Sequence, residues 1–223
     1  MTRTIKVLEK VLDANDRIAR ENREVFRRRG TMVVNMMSGP GAGKTSILER
    51  TIPELALRRR VAVIEGDVAT TADAERIAAC GVPVVQINTE NIGGTCHLEA
   101  GGIRDALAEL PDGIDLLFIE NVGNLVCPAE FDLGETARVA VLSVTEGEDK
   151  PIKYPIMFRA VDLVLLTKVD LLPHLRVDTA RLLGNIRQVN PALRVVRFSA
   201  VTGEGLDEWL AWLDGLALRT TGR

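Results

Sequence analysis

An apolar run that breaks into glycines and closes on Lys-Thr constrains this chain more than any other stretch: Val33-Val34-Asn35-Met36-Met37-Ser38-Gly39-Pro40-Gly41-Ala42-Gly43-Lys44-Thr45-Ser46. It reads as a strand, a phosphate loop and a helix. A glycine-rich loop can turn its backbone N–H groups inward as an anion nest, and a helix opening at Lys44 adds the positive end of its dipole. Gly39, Pro40, Gly41, Ala42, Gly43, Lys44, Thr45 and Ser46 are therefore the expected nucleotide-phosphate set. Within it Lys44 reaches the β- and γ-phosphates and Thr45 offers a hydroxyl to Mg²⁺. The motif asks for glycine where the chain has Ser38, a small residue that such a turn tolerates. The alternative is a tight strand-to-helix turn with no ligand.

The rest of the chain repeats the rhythm. A helix is expected over 46–60, and short apolar runs rich in branched residues follow at Val61–Glu65, Val82–Ile87, Asp115–Ile119, Val139–Val144, Leu163–Thr167 and Val195–Phe198, most of them separated by helical stretches. Alternation of this kind predicts an α/β fold, a mostly parallel sheet covered by helices on both faces, with function at the carboxyl ends of the strands. Ahead of it, residues 4–29 place Ile5, Leu8, Leu12, Ala19 and Phe26 among many charges, and Arg27-Arg28-Arg29 leads into Gly30. This pattern predicts an amphipathic helix, either packed on the edge of the domain or acting as a docking arm. The expected organisation is an N-terminal helix, 1–30, and a nucleotide-binding domain, 31–218.

Composition narrows the partners. With 28 Lys and Arg against 31 acidic residues the net charge is −3, which leaves no positive field to hold a nucleic-acid backbone. No stretch is long and apolar enough to span a bilayer, and MTRTIKVLEK lacks the apolar core of a signal peptide, so a cytoplasmic location without a membrane partner is expected. Three cysteines argue against a disulfide framework and for reduced thiols available to a metal.

The strand exits carry the polar residues. Asp67, in Glu65-Gly66-Asp67, and Glu120, in Glu120-Asn121-Val122-Gly123, are candidates to hold Mg²⁺, directly or through water, or to position an attacking water. For Asp67, capping of the following helix is the competing reading. Together with Lys44 they form the expected catalytic set. Thr167-Lys168-Val169-Asp170 follows a later strand and Ser199-Ala200 the last. A carboxylate at Asp170 can accept the paired N1 and 2-amino donors of guanine, which adenine lacks. The stem of Lys168 can lie along the base, and the Ser199-Ala200 turn can offer N–H to the guanine oxygen. This set resembles the N-K-x-D and S-A motifs of GTP-binding proteins, with Thr167 in place of asparagine.

Cys96 and His97 lie after Gly93-Gly94, and Cys127 lies in Asn124-Leu125-Val126-Cys127-Pro128. Two thiolates and an imidazole suit Zn²⁺ or Ni²⁺, leaving a fourth position open or shared with a second chain. Buried thiols and a helix-capping histidine are the alternative. Cys80 reads as core, and His174 has no assigned role.

Taken together, SGPGAGKTS, IEGDVATTADAERI, QINTE with CHLEA, LLFIENVGNLVCPAEFDLGE, VLSVTEGEDKPIKYPIMF, TKVDLLP and SAVTGEGLDEW resemble the hydrogenase nickel-incorporation GTPase family HypB, from about Met32 to near Trp212. The resemblance implies a P-loop GTPase of the SIMIBI type with slow intrinsic turnover, GTP-dependent homodimerisation, and a metal site of Cys96, His97 and Cys127 at or near the dimer interface. It also implies nickel delivery to the precursor of the [NiFe]-hydrogenase large subunit, together with a HypA-type nickel and zinc partner. Some members carry an N-terminal cysteine motif or a histidine-rich stretch; no cysteine precedes Cys80 here and no histidine precedes His97, so those functions are expected to be absent. The urease-type GTPase is the near alternative, but its Cys-Pro-His motif is replaced by Cys127-Pro128-Ala129. A small-molecule kinase on the same phosphate loop, or a scaffold that binds nucleotide without hydrolysing it, are readings of other classes. Lys150 and Lys153 either reach nucleotide across a dimer or stay solvated.

Overall fold

A computed structural model describes residues 7–68, 70–90 and 96–221. Ile5, Gly93 and Gly94 lie outside the described residues. Seven parallel strands form one sheet: β1 (Met32–Ser38), β2 (Val61–Asp67), β3 (Val84–Asn88), β4 (Leu116–Glu120), β5 (Ala137–Ser143), β6 (Leu163–Thr167) and β7 (Arg194–Arg197). Their order is β3-β2-β4-β1-β5-β6-β7. The chain leaves β1 toward one edge and, after β5, runs to the other, so the carboxyl end of β1 is a topological switch point, where ligands sit in open α/β sheets. The helices are α1 (Val7–Arg29), α2 (Lys44–Ala56), α3 (Ala72–Ala78), α4 (Ala100–Glu109), α5 (Cys127–Glu130), α6 (Lys150–Lys153), α7 (Pro155–Ala160), α8 (Thr179–Val189) and α9 (Leu206–Thr221).

Alternation along β1 shows how the sheet is covered twice. Met32, Val34 and Met36 pack with Ile47, Leu48 and Ile52 of α2 and Trp209, Trp212 and Leu213 of α9. Val33 faces the other way, to a core with Phe26 of α1 and Ile103 and Leu107 of α4, and Met37 joins a neighbouring core with α7 and α8. A strand buried on both faces needs a continuous apolar run, which is what the sequence has. The one polar residue inside that run, Asn35, is fully buried and hydrogen-bonded.

Boundaries differ from the periodicity in two informative places. The helix expected over 46–60 opens two residues early at Lys44, because Gly43 takes a φ of 103° that turns the chain directly into it. It ends at Ala56, where the last turn tightens: Arg58 donates its backbone N–H to Leu55 O three residues back, and Arg59 donates to the same carbonyl. The segment Thr145 to Phe158 breaks into short helical pieces, where Pro151 and Pro155 each start a new turn.

Trp209 is fully buried, donates its indole N–H to Thr51 Oγ1 at 3.1 Å and stacks on Trp212 at 5.4 Å between ring centroids. Trp209→Ala is expected to remove about 3–5 kcal/mol of stability in urea denaturation. A loss below about 1 kcal/mol would show that α9 does not belong to the cooperative core.

Candidate functional site

The phosphate loop is built by sterics first. Gly41 and Gly43 have φ of 71° and 103°, the left-handed region that side chains avoid, and the loop leads directly into α2 at Lys44. Lys44 is nine-tenths buried and donates from Nζ to Ser38 Oγ at 3.0 Å. Ser38, the departure from the motif, thus holds the lysine, while its own hydroxyl donates to Gly39 O at 2.7 Å.

Thr45 and Glu120 meet directly: Thr45 Oγ1 donates to Glu120 Oε1 at 2.8 Å, with Lys44 Nζ 4.0 Å from the same oxygen. Burial pushes the Glu120 carboxyl up, opposed by the Lys44 charge and the Thr45 hydroxyl. Its second oxygen is buried with no hydrogen-bond partner. An orphaned buried carboxylate oxygen beside a threonine hydroxyl fits a hard cation bound next to phosphate. Asp67 is placed differently. Its carboxylate accepts from Val68 N at 2.7 Å, Thr70 N at 3.2 Å and Thr70 Oγ1 at 2.6 Å, closing the loop after β2, and the Thr45 hydroxyl goes to Glu120. Burial raises its carboxyl, but those Thr70 and Val68 donors outweigh it and hold it below the usual range. The N-cap position of α3 is Thr71, so Asp67 is not its cap.

Sequence reasoning passed over Glu65. It pairs in register with Glu120 across β2 and β4, is 2% exposed, and has a buried carboxylate oxygen without a partner. Burial, then the neighbouring Glu120 charge, pushes it up to about 8. The available signal was an acid ending the apolar run Val61-Ala62-Val63-Ile64, read only as a strand exit.

The residues expected to recognise the base converge on the same end of the sheet. Thr167 Oγ1 donates to Ala42 O at 2.7 Å, so the residue replacing asparagine braces the phosphate loop. Lys168 is the one non-glycine with positive φ among the described residues, at 58°, and its Nζ donates to Gly41 O at 2.7 Å. Backbone held in a sparsely populated region is characteristic of ligand clamps. Asp170 Oδ1 accepts from Ser199 Oγ at 2.6 Å, and Ser199 is fully buried with Ala200 beside it. Lys153 is paired with Asp149 at 2.6 Å and Lys150 lies over the Tyr154 ring, so both have local partners.

Cys96, His97 and Cys127 are brought together, their ligand atoms all within 4.8 Å of one another. The two sulfurs are 3.0 Å apart, and Cys96 Sγ is 4.0 Å from His97 Nδ1. His97 packs against Phe131 with ring centroids at 3.8 Å, and burial lowers its pKa, against the pull of Glu99 and Glu130. The neutral imidazole that a metal requires is therefore the favoured form. Cys127 is pushed up by its hydrogen bond to Cys96 and by burial, so its thiol holds a proton that a bound cation would displace. Cys80 packs against the core, away from this cluster.

The two clusters share a loop. From Glu120 the chain passes over the phosphate loop to Cys127, and a Cβ on Gly123 would stand 3.0 Å from Pro40 Cα, while Leu125 lies under Gly39.

The fold and this arrangement define a P-loop nucleotide-binding protein with a cysteine and histidine cluster on the loops beside its phosphate loop. Residues 32–197 match the family described as CobW/HypB/UreG, nucleotide-binding domain. The chain is 56% identical over 214 residues to the hydrogenase maturation factor HypB of Azotobacter vinelandii, covering 96% of this chain and 70% of that one. Among solved structures it is similar to the hydrogenase maturation factor HypB of Archaeoglobus fulgidus, at 40% identity and a TM-score of 0.86 over 92% of this chain and 100% of that one. HypB of Helicobacter pylori in complex with nickel matches at 34% identity, also with a TM-score of 0.86, over 92% of this chain and 96% of that one. The chain belongs to the CobW/HypB/UreG family of GTPase-type nucleotide-binding proteins, on the branch of the HypB hydrogenase maturation factors. Among the described residues no helix is long and apolar enough to cross a membrane.

The Glu65 environment sets a pH dependence. Between its ordinary value of 4.5 and about 8 the folded chain keeps this proton and the unfolded chain does not, so stability falls as pH rises through that window. The slope from this group is at most about 1.4 kcal/mol per pH unit. Urea denaturation in metal-free and nucleotide-free buffer should show that decline, and Glu65→Gln should flatten it; a variant with an unchanged slope would refute the assignment.

Proposed function

We propose that this protein is a GTP-hydrolysing metallochaperone that supports nickel insertion into the precursor of a [NiFe]-hydrogenase large subunit, with nucleotide controlling the metal site. The observation that carries this reading is the single loop running from Glu120, hydrogen-bonded to Thr45, over Pro40 to Cys127. A change at the phosphates is transmitted to a cysteine through packed backbone. The nickel complex of the Helicobacter pylori relative supports nickel as the cargo, and Zn²⁺ suits the same two thiolates and imidazole.

In this reading the N–H groups of residues 39–46 and Lys44 hold the triphosphate, and Thr45 with Glu120 holds Mg²⁺. The ion neutralises charge on the β- and γ-phosphate oxygens when bound. Lys168 flanks the base, Asp170 accepts its paired donors, and Ala200 lines its edge. Asp67, on the loop after β2, reaches the site by releasing Val68 and Thr70. Gly123 is followed by Asn124 and not by a glutamine able to orient water, which agrees with slow hydrolysis suited to a switch. The N-terminal helix, 1–30, is carried on the nucleotide domain, 31–218. A second copy of the chain supplies the remaining metal position in a GTP-dependent homodimer, and a HypA-type protein exchanges metal with it.

Titration of the reduced protein with Ni²⁺ and Zn²⁺, in GDP and then in a non-hydrolysable GTP analogue with molecular mass followed, tests the whole reading. Metal affinity and dimer formation should both change with nucleotide; absence of metal binding in either state would leave a nucleotide switch with structural cysteines. Cys127→Ala should weaken metal binding at least tenfold while monomeric GTP binding stays within about twofold, and parallel loss of both would refute separate sites. Asp170→Asn should shift preference from guanine toward xanthine nucleotides by an order of magnitude or more, since the amide can donate to the 2-oxygen. An unchanged preference would remove Asp170 from base recognition.

A further inference from the structure

The metal ligands sit on loops whose far ends are not left to solvent, and the same helix holds both. Two asparagines of α1 are buried, Asn15 at 5% exposure and Asn22 at 2%. Asn15 accepts the Ala100 N–H at 2.8 Å and donates to Asp132 O at 2.7 Å. Asn22 donates to Ala100 O at 2.9 Å and to Leu133 O at 3.1 Å. Each side chain thus bridges the segment just after Cys96 and His97 to the segment that follows Cys127 and α5. The contact is close enough to exclude a side chain: Gly134 has φ of 90°, and a Cβ there would lie 2.6 Å from Ala19 O of α1. Arg23 adds an ion pair to Asp132 at 2.8 Å. From the inner side Asn121, next to Glu120, accepts the Leu98 N–H at 3.2 Å and donates to Asn35 of β1 at 3.2 Å.

A helix that only covered an apolar face would need no buried amides, and each costs free energy unless its partners are met. Here the four bonds fall on backbone of the two ligand-bearing loops, and a metal's affinity depends on how well its ligands are held before it arrives. We infer that α1 is a structural part of the metal centre, with Asn15 and Asn22 as positioning residues that fix the separation between the Cys96-His97 loop and the Cys127 loop. The inference rests on the assignment of Cys96, His97 and Cys127 as metal ligands. It makes the helix more than an edge element: whatever displaces α1 loosens the metal site, and a bound metal holds α1 down by the same factor.

The test uses the full chain with Zn²⁺, measured by competition with a chromophoric chelator, and Co²⁺ as a spectroscopic probe of ligand geometry. Asn22→Leu keeps volume and removes both donations, and Asn15→Ser gives a smaller polar replacement; Zn²⁺ affinity should fall about tenfold or more in Asn22→Leu, with an altered thiolate-to-cobalt band, while GDP affinity stays within about twofold. Leu213→Ala, on the opposite face of the sheet, serves as a destabilised control whose Zn²⁺ affinity should not change. Variants that melt lower yet bind Zn²⁺ and Co²⁺ as the unmodified chain does would overturn the inference. If the unmodified chain itself binds neither ion, the ligand assignment fails and the inference with it. Should the variants not fold, hydrogen exchange on the unmodified chain decides: Zn²⁺ should slow exchange along the Asn15 to Asn22 turns of α1. Slowing confined to residues 96–100 would overturn the coupling.

Discussion

The hydrogen bond from Thr45 to Glu120 is the interaction on which the nucleotide end of this molecule depends. It exists because β1 and β4 are parallel neighbours, with Met36 opposite Glu120, and because the phosphate loop returns the chain over that pair before α2 begins. Packing on every side then strips water from the acid, leaving Lys44 and Thr45 as its compensation. Glu65, one strand over, is pushed up to about 8 by burial and by the Glu120 charge, against a weaker pull from Lys44. Glu65 and Glu120 thus lie side by side on paired strands, each with a buried oxygen that has no hydrogen-bond partner. A cation bound there would offset the burial of two acids, so the cost of the arrangement is concentrated at the expected ligand site.

On the α1 face of the sheet the polar groups are balanced. Asn35 donates to Glu135 Oε1 at 3.1 Å and accepts from Asn121, and Glu135 Oε2 accepts the Leu133 N–H at 2.7 Å. Arg138 donates to Glu135 and to the carbonyls of Ala129 and Phe131. A network whose members are each satisfied specifies one arrangement of the loops it touches, which an apolar interface of equal area would not do. The two polar regions are adjacent in sequence: Glu120, the last residue of β4, belongs to one, and Asn121, the residue that follows, to the other.

Local chemistry was legible in the sequence and long-range chemistry was not. The phosphate loop, the strand rhythm and the base-side motifs are carried by neighbouring residues, so glycine placement and periodicity expose them. Cys96, His97 and Cys127 could be grouped by residue type as a candidate metal set, and the family resemblance strengthened the grouping, but their convergence depends on how two loops fold toward each other. Asn15, Asn22, Asn35 and Asn121 left no signal at all. An asparagine inside an amphipathic helix or an apolar strand looks like noise until its partner is known, and the bond from Asn22 to Leu133 spans 111 residues. Asp67 was read by its position at a strand exit, but a loop of small hydroxylated residues folded back to occupy it, a competition that position alone does not reveal.

For the proposed function, these contacts locate where a nucleotide signal would be read. The Cys96-His97 loop is tied at Leu98 by Asn121 and at Ala100 by Asn15, both anchored in the scaffold. The Cys127 loop is tied to that scaffold at both ends, through Asn121 before it and Asp132 and Leu133 after it, and between them Gly123 packs directly on Pro40 of the phosphate loop. Tight contact moves both partners or neither. On the proposed function, a rearrangement of the phosphate loop would reach the Cys127 loop through the contact of Gly123 with Pro40, and the coordinate it would alter is the distance between the two sulfurs, 3.0 Å in the present arrangement. A metal bound by both thiolates samples that distance directly. Coupling of the size common between linked sites, about 1–3 kcal/mol, needs only a modest change in how well the second sulfur reaches the ion.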